Sequence, residues 1–215
     1  MRRLALFALV SLFLASCSLF TAQTVRWEPD DNDFVQFSTN KRYLSGRLFH
    51  VTEAADAQSP ATAPRAEIRK MSGDYAGGFG LVLNYQDEEN FYLFLAKLDG
   101  AYGFFKYQGG EMTSLIDWTY AAPMVTEYEA TNALAAAPRS GGGFDLRIND
   151  AFVGATEDTS FTDGVSGFAV VVTDRELFPD TPVDVRFRSS VIEPAETQAS
   201  ATSIAVPAGV TRGSR

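Results

Sequence analysis

The chain of 215 residues is poor in cysteine, histidine and basic residues. Its single cysteine cannot pair within its own chain, so an internal disulfide framework is excluded. Its single histidine means that any catalysis by imidazole depends on His50. The 18 Lys and Arg against 27 Asp and Glu give a net charge of -9, which argues against a nucleic-acid-binding surface because such a surface needs clustered basic residues. The length suits one domain of ordinary size with short tails.

The N-terminus has the pattern of a secretory signal peptide. Arg2 and Arg3 precede an apolar run of eleven residues, Leu4–Leu14, which is broken only by Ser11 and is followed by two small residues. This run is too short to span a bilayer, which takes about 20 apolar residues. A signal peptide typically has a basic start, a short apolar stretch and small residues before the cleavage site. This pattern predicts a cleaved signal peptide over residues 1–16.

The one cysteine lies where cleavage is expected. Leu14-Ala15-Ser16-Cys17 resembles the lipobox of bacterial lipoproteins, in which the cysteine is acylated and becomes the first residue of the mature chain. The resemblance implies that Cys17 anchors the protein to a membrane, since two acyl chains suffice for stable anchoring. In such lipoproteins an Asp directly after the cysteine is the usual signal for retention in the inner membrane. This chain has Ser18 at that position, so the resemblance implies sorting to the outer membrane. The alternative is a secreted protein whose unpaired cysteine is buried as a small apolar residue.

The mature chain divides into a tether, one domain and a tail. Residues 17–33 are read as the lipidated cysteine and its tether, and residues 192–215, rich in Ala, Thr, Ser, Pro and Gly without aromatics, as a disordered tail. Residues 34–191 form the domain, with a loop at Ala54–Pro64. Removal of the two signal-peptide arginines lowers the net charge from -9 to -11, so anionic lipid should not attract the domain.

Short runs rich in Val, Phe, Tyr and Leu, separated by Gly, Asp and Asn, predict about a dozen strands. These runs are Phe34–Phe37, Tyr43–Val51, Arg65–Lys70, Gly78–Tyr85, Asn90–Lys97, Ala101–Tyr107, Met112–Ile116, Asn132–Ala137, Phe144–Ile148, Ala151–Thr156, Val165–Thr173 and Val183–Ser190. Asp99-Gly100 is a strong hairpin signal, and Asn149-Asp150 predicts a second hairpin. Long helical periodicity is absent, which favours an all-β, two-sheet antiparallel sandwich or jelly roll.

The first hairpin allows a prediction of register. If Asp99-Gly100 is a two-residue loop, one face of the hairpin is free of lysine and should be the core, and the other is an apolar face rimmed by two lysines. The pairs predicted for the core face are Leu98 with Ala101, Ala96 with Gly103, Phe94 with Phe105 and Tyr92 with Tyr107. The second face, with Leu93, Leu95, Lys97, Tyr102, Phe104 and Lys106, requires either covering structure or a ligand.

The order of glycine turns and aromatic strands resembles the laminin-G-like, concanavalin A-like jelly roll over about residues 34 to 191. The segments that carry the resemblance are Gly78–Leu83, Asn90–Phe94, Asp99–Lys106, Leu115–Trp118, Phe144–Asn149, Phe152–Gly154, Asp158–Phe161 and Gly164–Phe168. Within this pattern Asn132–Gly143 is a departure, because a run of alanines, Pro, Arg, Ser and glycines replaces an ordinary apolar strand. We expect that strand to be short, irregular or flexible.

The superfamily implied by the resemblance includes glycoside hydrolases, which need two closely spaced carboxyl groups. The laminarinase-type pattern Glu-x-Asp-x-x-Glu is absent from the sequence. Glu127 and Glu129 are read as loop residues, and Asp87-Glu88-Glu89 as a solvated turn. We therefore expect a protein that is not an enzyme, with glycoside hydrolysis as the less favoured alternative.

Binding of sugars rests on aromatic rings that stack on pyranose faces, with polar groups to fix orientation. The candidate ligand-binding residues are Tyr102, Tyr107, Asp117, Trp118 and Tyr120; the alternative is that these rings belong to the core or an interface. No cofactor is expected. Calcium is possible, with weak candidate ligands at Asp30, Asp31, Asn32 and Asp33. His50 has no convincing partners for zinc.

These observations predict a cell-envelope lipoprotein whose jelly roll binds a carbohydrate or a protein partner. The alternatives are an envelope structural or assembly protein without a small ligand, and the glycoside hydrolase.

Overall fold

The structure is a computed structural model that describes residues 25–29, 34–39, 46–51, 63–172 and 183–189. The described residues form thirteen β-strands and contain no helix, so none that could cross a membrane. The strands are β1 Val25–Pro29, β2 Val35–Thr39, β3 Gly46–Val51, β4 Arg65–Ser72, β5 Gly78–Asp87, β6 Asn90–Ala96, β7 Ala101–Gln108, β8 Glu111–Tyr120, β9 Thr131–Pro138, β10 Phe144–Ile148, β11 Ala151–Ala155, β12 Val165–Val172 and β13 Asp184–Ser189.

The strands form two antiparallel sheets packed as a sandwich. The seven-stranded sheet has the order β1-β2-β13-β4-β9-β10-β11, and the six-stranded sheet has the order β3-β12-β5-β6-β7-β8. β2 pairs with β13 in one sheet and β3 pairs with β12 in the other. The second strand thus pairs with the last, and the third strand pairs with the one before the last. This arrangement is a jelly-roll topology. The predicted all-β, two-sheet fold is confirmed.

All twelve predicted strands are present, with ends that differ by a few residues. β1, which lies inside the segment 17–33 read as a tether, was not predicted, and it pairs with β2 along its whole length. The expectation of an irregular strand after Asn132 was wrong. β9 is a regular eight-residue strand that pairs with both β4 and β10, and its alanines fit because Ala135 and Ala136 are buried.

The main core lies between the two sheets. Alternate residues of the strands point inward, and their side chains meet there. They include Phe94, Phe104, Phe144 and Phe187, which are all at most 4% exposed. Rings of both sheets touch directly, since Phe104 and Phe144 have centroids 5.8 Å apart. Burial of this aromatic surface is the principal stabilisation of the sandwich.

The hairpin between β6 and β7 forms as predicted, but its register was predicted wrongly by one residue. Ala96 pairs with Tyr102, so the loop has three residues, Leu98 to Gly100, and Lys97 N donates to Ala101 O at 2.9 Å. Gly100 takes the positive φ of 90° that a three-residue loop requires at its last position.

The corrected register exchanges the faces of β7. Tyr102 and Phe104 point into the main core, while Phe105 and Tyr107 lie on the outer face of the six-stranded sheet. Lys106 stands opposite Tyr92 on the core side, so the core face is not free of lysine.

The hairpin at Asn149-Asp150 is confirmed as a two-residue loop between Ile148 and Ala151. Both residues have positive φ, 50° and 66°, as a type I′ turn demands. Asn149 also fixes its surroundings, because its Nδ2 donates to Pro123 O at 2.8 Å and its Oδ1 accepts from Ala133 N at 2.8 Å.

Candidate functional site

Exposed aromatic residues occur on β8, which ends the six-stranded sheet. Trp118 is 40% exposed and Tyr120 is 75% exposed, although rings of this size are mostly buried elsewhere in the domain. Tyr120 stands opposite Ala101 on the outer side of β7, and Trp118, two residues earlier, shares that face. Trp118, Tyr120, Asp117 and the nearby Lys97 are called the β8 patch below.

Trp118 is held in place by two neighbours. The Lys97 ammonium lies 3.6 Å from the centroid of its ring, and the Phe105 ring is 5.1 Å away at an angle of 53°. A cation over an indole face at this distance is attractive. These contacts orient the Trp118 ring and put a positive charge beside it. The spacing between Lys97 and Trp118 gave no sequence signal for this pairing.

Tyr120 projects next to the β6–β7 loop. Its ring lies so close to Gly100 that a β-carbon at that position would approach it to 3.1 Å. Ala121 N donates to Gly100 O at 2.9 Å, which ties the end of β8 to the same loop. Asp117 is exposed, so its carboxylate is available as a hydrogen-bond acceptor.

A further exposed ring, Tyr75, lies in the turn between β4 and β5 and is held by the loop of residues 121–130. Glu129 N donates to Lys70 O at 2.9 Å, and the Tyr128 hydroxyl donates to Gly73 O. Tyr75, 45% exposed, packs against Tyr128 with a centroid distance of 4.7 Å. Sequence reasoning did not select Tyr75, because a tyrosine in a glycine-rich turn carries no pattern that separates exposed from buried.

The other two predicted ligand-binding rings are in packed environments. Tyr102 is 4% exposed and its hydroxyl donates to Val153 O, which links the two sheets. Tyr107 is 6% exposed and its hydroxyl contacts the sulfur of Met112 at 3.0 Å. Neither ring offers a face to solvent, so the candidate site narrows to Asp117, Trp118 and Tyr120.

The outer face of the six-stranded sheet is a second apolar cluster and not an open groove. Its members are between 0% and 6% exposed: Val82, Phe91, Leu93, Leu95, Phe105, Tyr107 and Ala169. Phe91 and Tyr107 stack at a centroid distance of 4.7 Å. Of the two possibilities for the second face, covering structure or an accessible binding surface, the burial supports the first.

A polar cluster closes one end of the main core. Lys106 Nζ donates to Asp158 Oδ2 at 2.7 Å and to Ser160 Oγ at 2.9 Å, and the Tyr92 hydroxyl donates to the other oxygen of Asp158. Phe161 N donates to the Tyr92 oxygen at 3.1 Å. These bonds hold the loop after β11 on the six-stranded sheet.

The cluster shifts the acidity of its members. Burial opposes ionisation of Asp158, but the hydrogen bonds from Lys106, Tyr92 and Ser160 prevail and hold the pKa of that carboxyl well below its usual range. Burial, together with the bond to Asp158, raises the pKa of Tyr92 to about 12. Asp158 is thus a paired carboxylate, and its role is to fix the loop.

The carboxyl groups considered for glycoside hydrolysis lie where the sequence predicted. Glu127 and Glu129 are exposed in the loop between β8 and β9, and Asp87-Glu88-Glu89 is the exposed turn between β5 and β6. Hydrogen bonds from Glu89 N and Asn90 lower the pKa of Asp87. A general acid requires the opposite shift.

Several predicted residues lie outside what the structure describes. Cys17 and the acidic cluster Asp30 to Asp33 fall in undescribed segments, and so do the tail and most of the Ala54–Pro64 loop. His50 lies in β3 opposite Phe168. Among the described residues, no three His, Cys, Asp or Glu side chains come together as metal ligands would.

Comparison with known proteins yields structural likeness alone. No family model and no curated protein matches the chain. The galectin LEC-6 of Caenorhabditis elegans is 16% identical with a TM-score of 0.42, and the alignment covers 72% of this chain and 95% of the galectin.

Two larger proteins contain a similar domain. A binding domain of botulinum neurotoxin DC, solved with rat synaptotagmin II, is 10% identical with a TM-score of 0.46 over 79% of this chain and 41% of its own. A xylan beta-1,4-xylosidase from Bacillus halodurans is 15% identical with a TM-score of 0.42 over 73% and 32%. The chain thus spans less than half of either protein. At these values the likenesses assign no function.

Proposed function

We propose that the protein is a lipid-anchored envelope lipoprotein whose sandwich serves as a binding module, and that the β8 patch contacts its ligand. The anchor is supported by the sequence Leu14-Ala15-Ser16-Cys17 after a short apolar run. The observation that carries the binding role is the presence of Trp118 and Tyr120 as exposed rings on one face of an edge strand. A carbohydrate or a protein partner suits such a surface.

The anchor is tested by expressing the full chain in a diderm bacterium with labelled palmitate. The wild type should incorporate label and fractionate with the outer membrane, whereas Cys17→Ser should incorporate none and leave the membrane fraction. Ser18→Asp is the matched control, since it should keep the label and move the protein to the inner membrane. A Cys17→Ser protein that stays membrane-bound would contradict the proposed anchor.

The ligand is tested by retention of the purified mature chain on a broad polysaccharide array. Trp118→Ala and Tyr120→Ala should each abolish or strongly reduce retention, because they remove the rings that stack on a sugar. Phe152→Ala is the matched control, since Phe152 is 57% exposed but lies on β11 of the other sheet. A wild type that is retained on nothing would remove carbohydrate as the ligand.

A second candidate is an envelope structural or assembly protein without a small ligand. The observation in its favour is that the apolar cluster on the outer face of the six-stranded sheet is at most 6% exposed, so it is not accessible to a ligand. Co-purification with other envelope proteins, together with an inert array, would favour it. Glycoside hydrolysis is the least favoured reading, and a hydrolytic activity lost in both Glu127→Gln and Glu129→Gln would establish it.

A further inference from the structure

β8 forms the longer of the two edges of the six-stranded sheet. Among the described strands only β7 pairs with β8, so the other edge of β8 has no backbone partner there. No residue of β8 is buried, and eight of its ten residues are exposed, while Leu115 and Ile116 are half-buried. The other described edge strands are shorter, with six residues in β3 and five in each of β1 and β11.

Edge strands usually carry features that prevent pairing with another chain, such as lysine, proline, bulges or short length. β8 has neither lysine nor proline. The irregularities in its pairing with β7 lie between Ser114 and Thr119, and the stretch Glu111–Ser114 pairs regularly with Phe105–Gln108. This stretch therefore keeps the straight ladder geometry that a further strand needs.

The charge around β8 indicates the kind of strand it would accept. Glu111 lies in the stretch Glu111–Ser114, and the exposed acidic turn Asp87-Glu88-Glu89 lies beside its start, because Gly110 N donates to Glu89 O at 3.1 Å. β8 itself contains Asp117 as a second acidic residue and no Lys or Arg. The nearest lysines are engaged, Lys97 over Trp118 and Lys106 with Asp158. A second copy of this chain would bring the same acidic strand and the same negative net charge, which repel.

We propose that Glu111–Ser114 of β8 accepts an extended, positively charged segment of a partner protein as a seventh strand of the sheet. Backbone hydrogen bonds along the free edge supply affinity in this mode, and side chains at alternate positions supply specificity. Met112, 58% exposed and on the same face as Tyr107, gives an apolar contact for such a side chain. The inference rests on the proposed binding function and names its partner as a protein segment.

The test uses the purified mature chain and a ten-residue peptide that alternates lysine and valine. One control peptide has glutamate in place of lysine, and another has the same number of lysines but a pair of adjacent prolines in each half, so that a proline must face β8 in any register. We expect the lysine–valine peptide to bind and to slow hydrogen exchange of those amides of residues 111–114 that point away from β7. The glutamate peptide should fail on charge, and the proline peptide should fail because it cannot extend the ladder.

Two variants separate edge pairing from surface charge. Successive residues of an edge strand direct their N–H groups to opposite sides. The N–H of either Thr113 or Ser114 therefore points away from β7, and a proline at that position, Thr113→Pro or Ser114→Pro, removes it. That variant should keep the wild-type melting curve and bind the peptide at least tenfold more weakly. If both variants unfold, Ser114→Lys tests the charge requirement without a backbone change.

Three results would overturn the inference. They are equal binding of the proline peptide, binding without protection of residues 111–114, and a homodimer that already protects these amides without peptide. Failure here is distinguishable from failure of the proposed function, because glycan retention that depends on Trp118 would survive the proline variant. Binding to neither peptides nor glycans would count against both.

Discussion

β6 and β8 lie in the same sheet with only β7 between them, yet their environments are opposite. Every residue of β6 from Phe91 to Ala96 is buried, whereas no residue of β8 is. β6 has a neighbour on each side, the main core on one face and the second apolar cluster on the other. An aromatic ring on these two strands is therefore buried or exposed according to the distance of its strand from the edge.

The sequences of the two strands reflect this difference. β6 contains no charged residue and reads as a continuous apolar run, as expected for a strand buried on both faces. β8 mixes polar, acidic and aromatic residues without strict alternation. Tyr120 is largely exposed on this strand, and Trp118 is partly exposed although it packs against Phe105.

Truncation of one ring in each strand should give the largest contrast. Phe94 is fully buried and touches Phe104 and Tyr102, so Phe94→Ala should lower the free energy of unfolding by about 3–5 kcal/mol. Tyr120→Ala should change it by no more than about 0.5 kcal/mol, as for most exposed positions. Denaturant titration of both variants measures the difference, and equal losses would show that β8 belongs to the core.

Acid should weaken the attachment of β6 and β7 to the loop at Asp158 and leave β8 unaffected. Because the pKa of Asp158 is lowered in the folded state, its contribution is complete above the unfolded pKa of about 4 and is lost as pH falls towards the lower folded value. Asp158→Asn should therefore reduce stability at pH 7 and make much less difference at pH 2. Asp117→Asn, on the exposed edge, is the matched control and should have little effect at either pH.

Most of the fold follows from local sequence features. The short apolar runs between glycine and asparagine turns predicted all the strands except β1, and Asn149-Asp150 predicted a type I′ hairpin because these residue types tolerate positive φ. β1 was missed because Val25–Pro29 is short and adjoins the acidic cluster. The regularity of β9 was not predicted because alanine has a low strand propensity, although Ala135 and Ala136 are buried in a strand that pairs on both sides.

The register and the site were harder to predict for a common reason. Both faces of β6 and β7 are apolar, so alternation could not show which face is inside, and a loop one residue longer than assumed exchanged the faces of β7. Burial of Tyr102 and Tyr107, and exposure of Trp118 and Tyr120, depend on which strand ends the sheet. That order is set by pairing between distant segments, which no short window of sequence contains.

The smallest expected effect on stability concerns the edge itself. Ser114 is exposed on β8 opposite Phe105, so Ser114→Lys and Ser114→Glu should each alter the free energy of unfolding by no more than about 0.5 kcal/mol. Their effects on association should have opposite signs. A lysine at a sheet edge discourages strand addition and repels a basic segment, so Ser114→Lys should weaken binding of the lysine–valine peptide, while Ser114→Glu should preserve or strengthen it. Titration at low and high salt checks the electrostatic origin, since screening should reduce the difference between the two variants. Identical binding by both variants would mean that charge does not select the partner of β8, and the contrast with β6 would then be one of exposure alone.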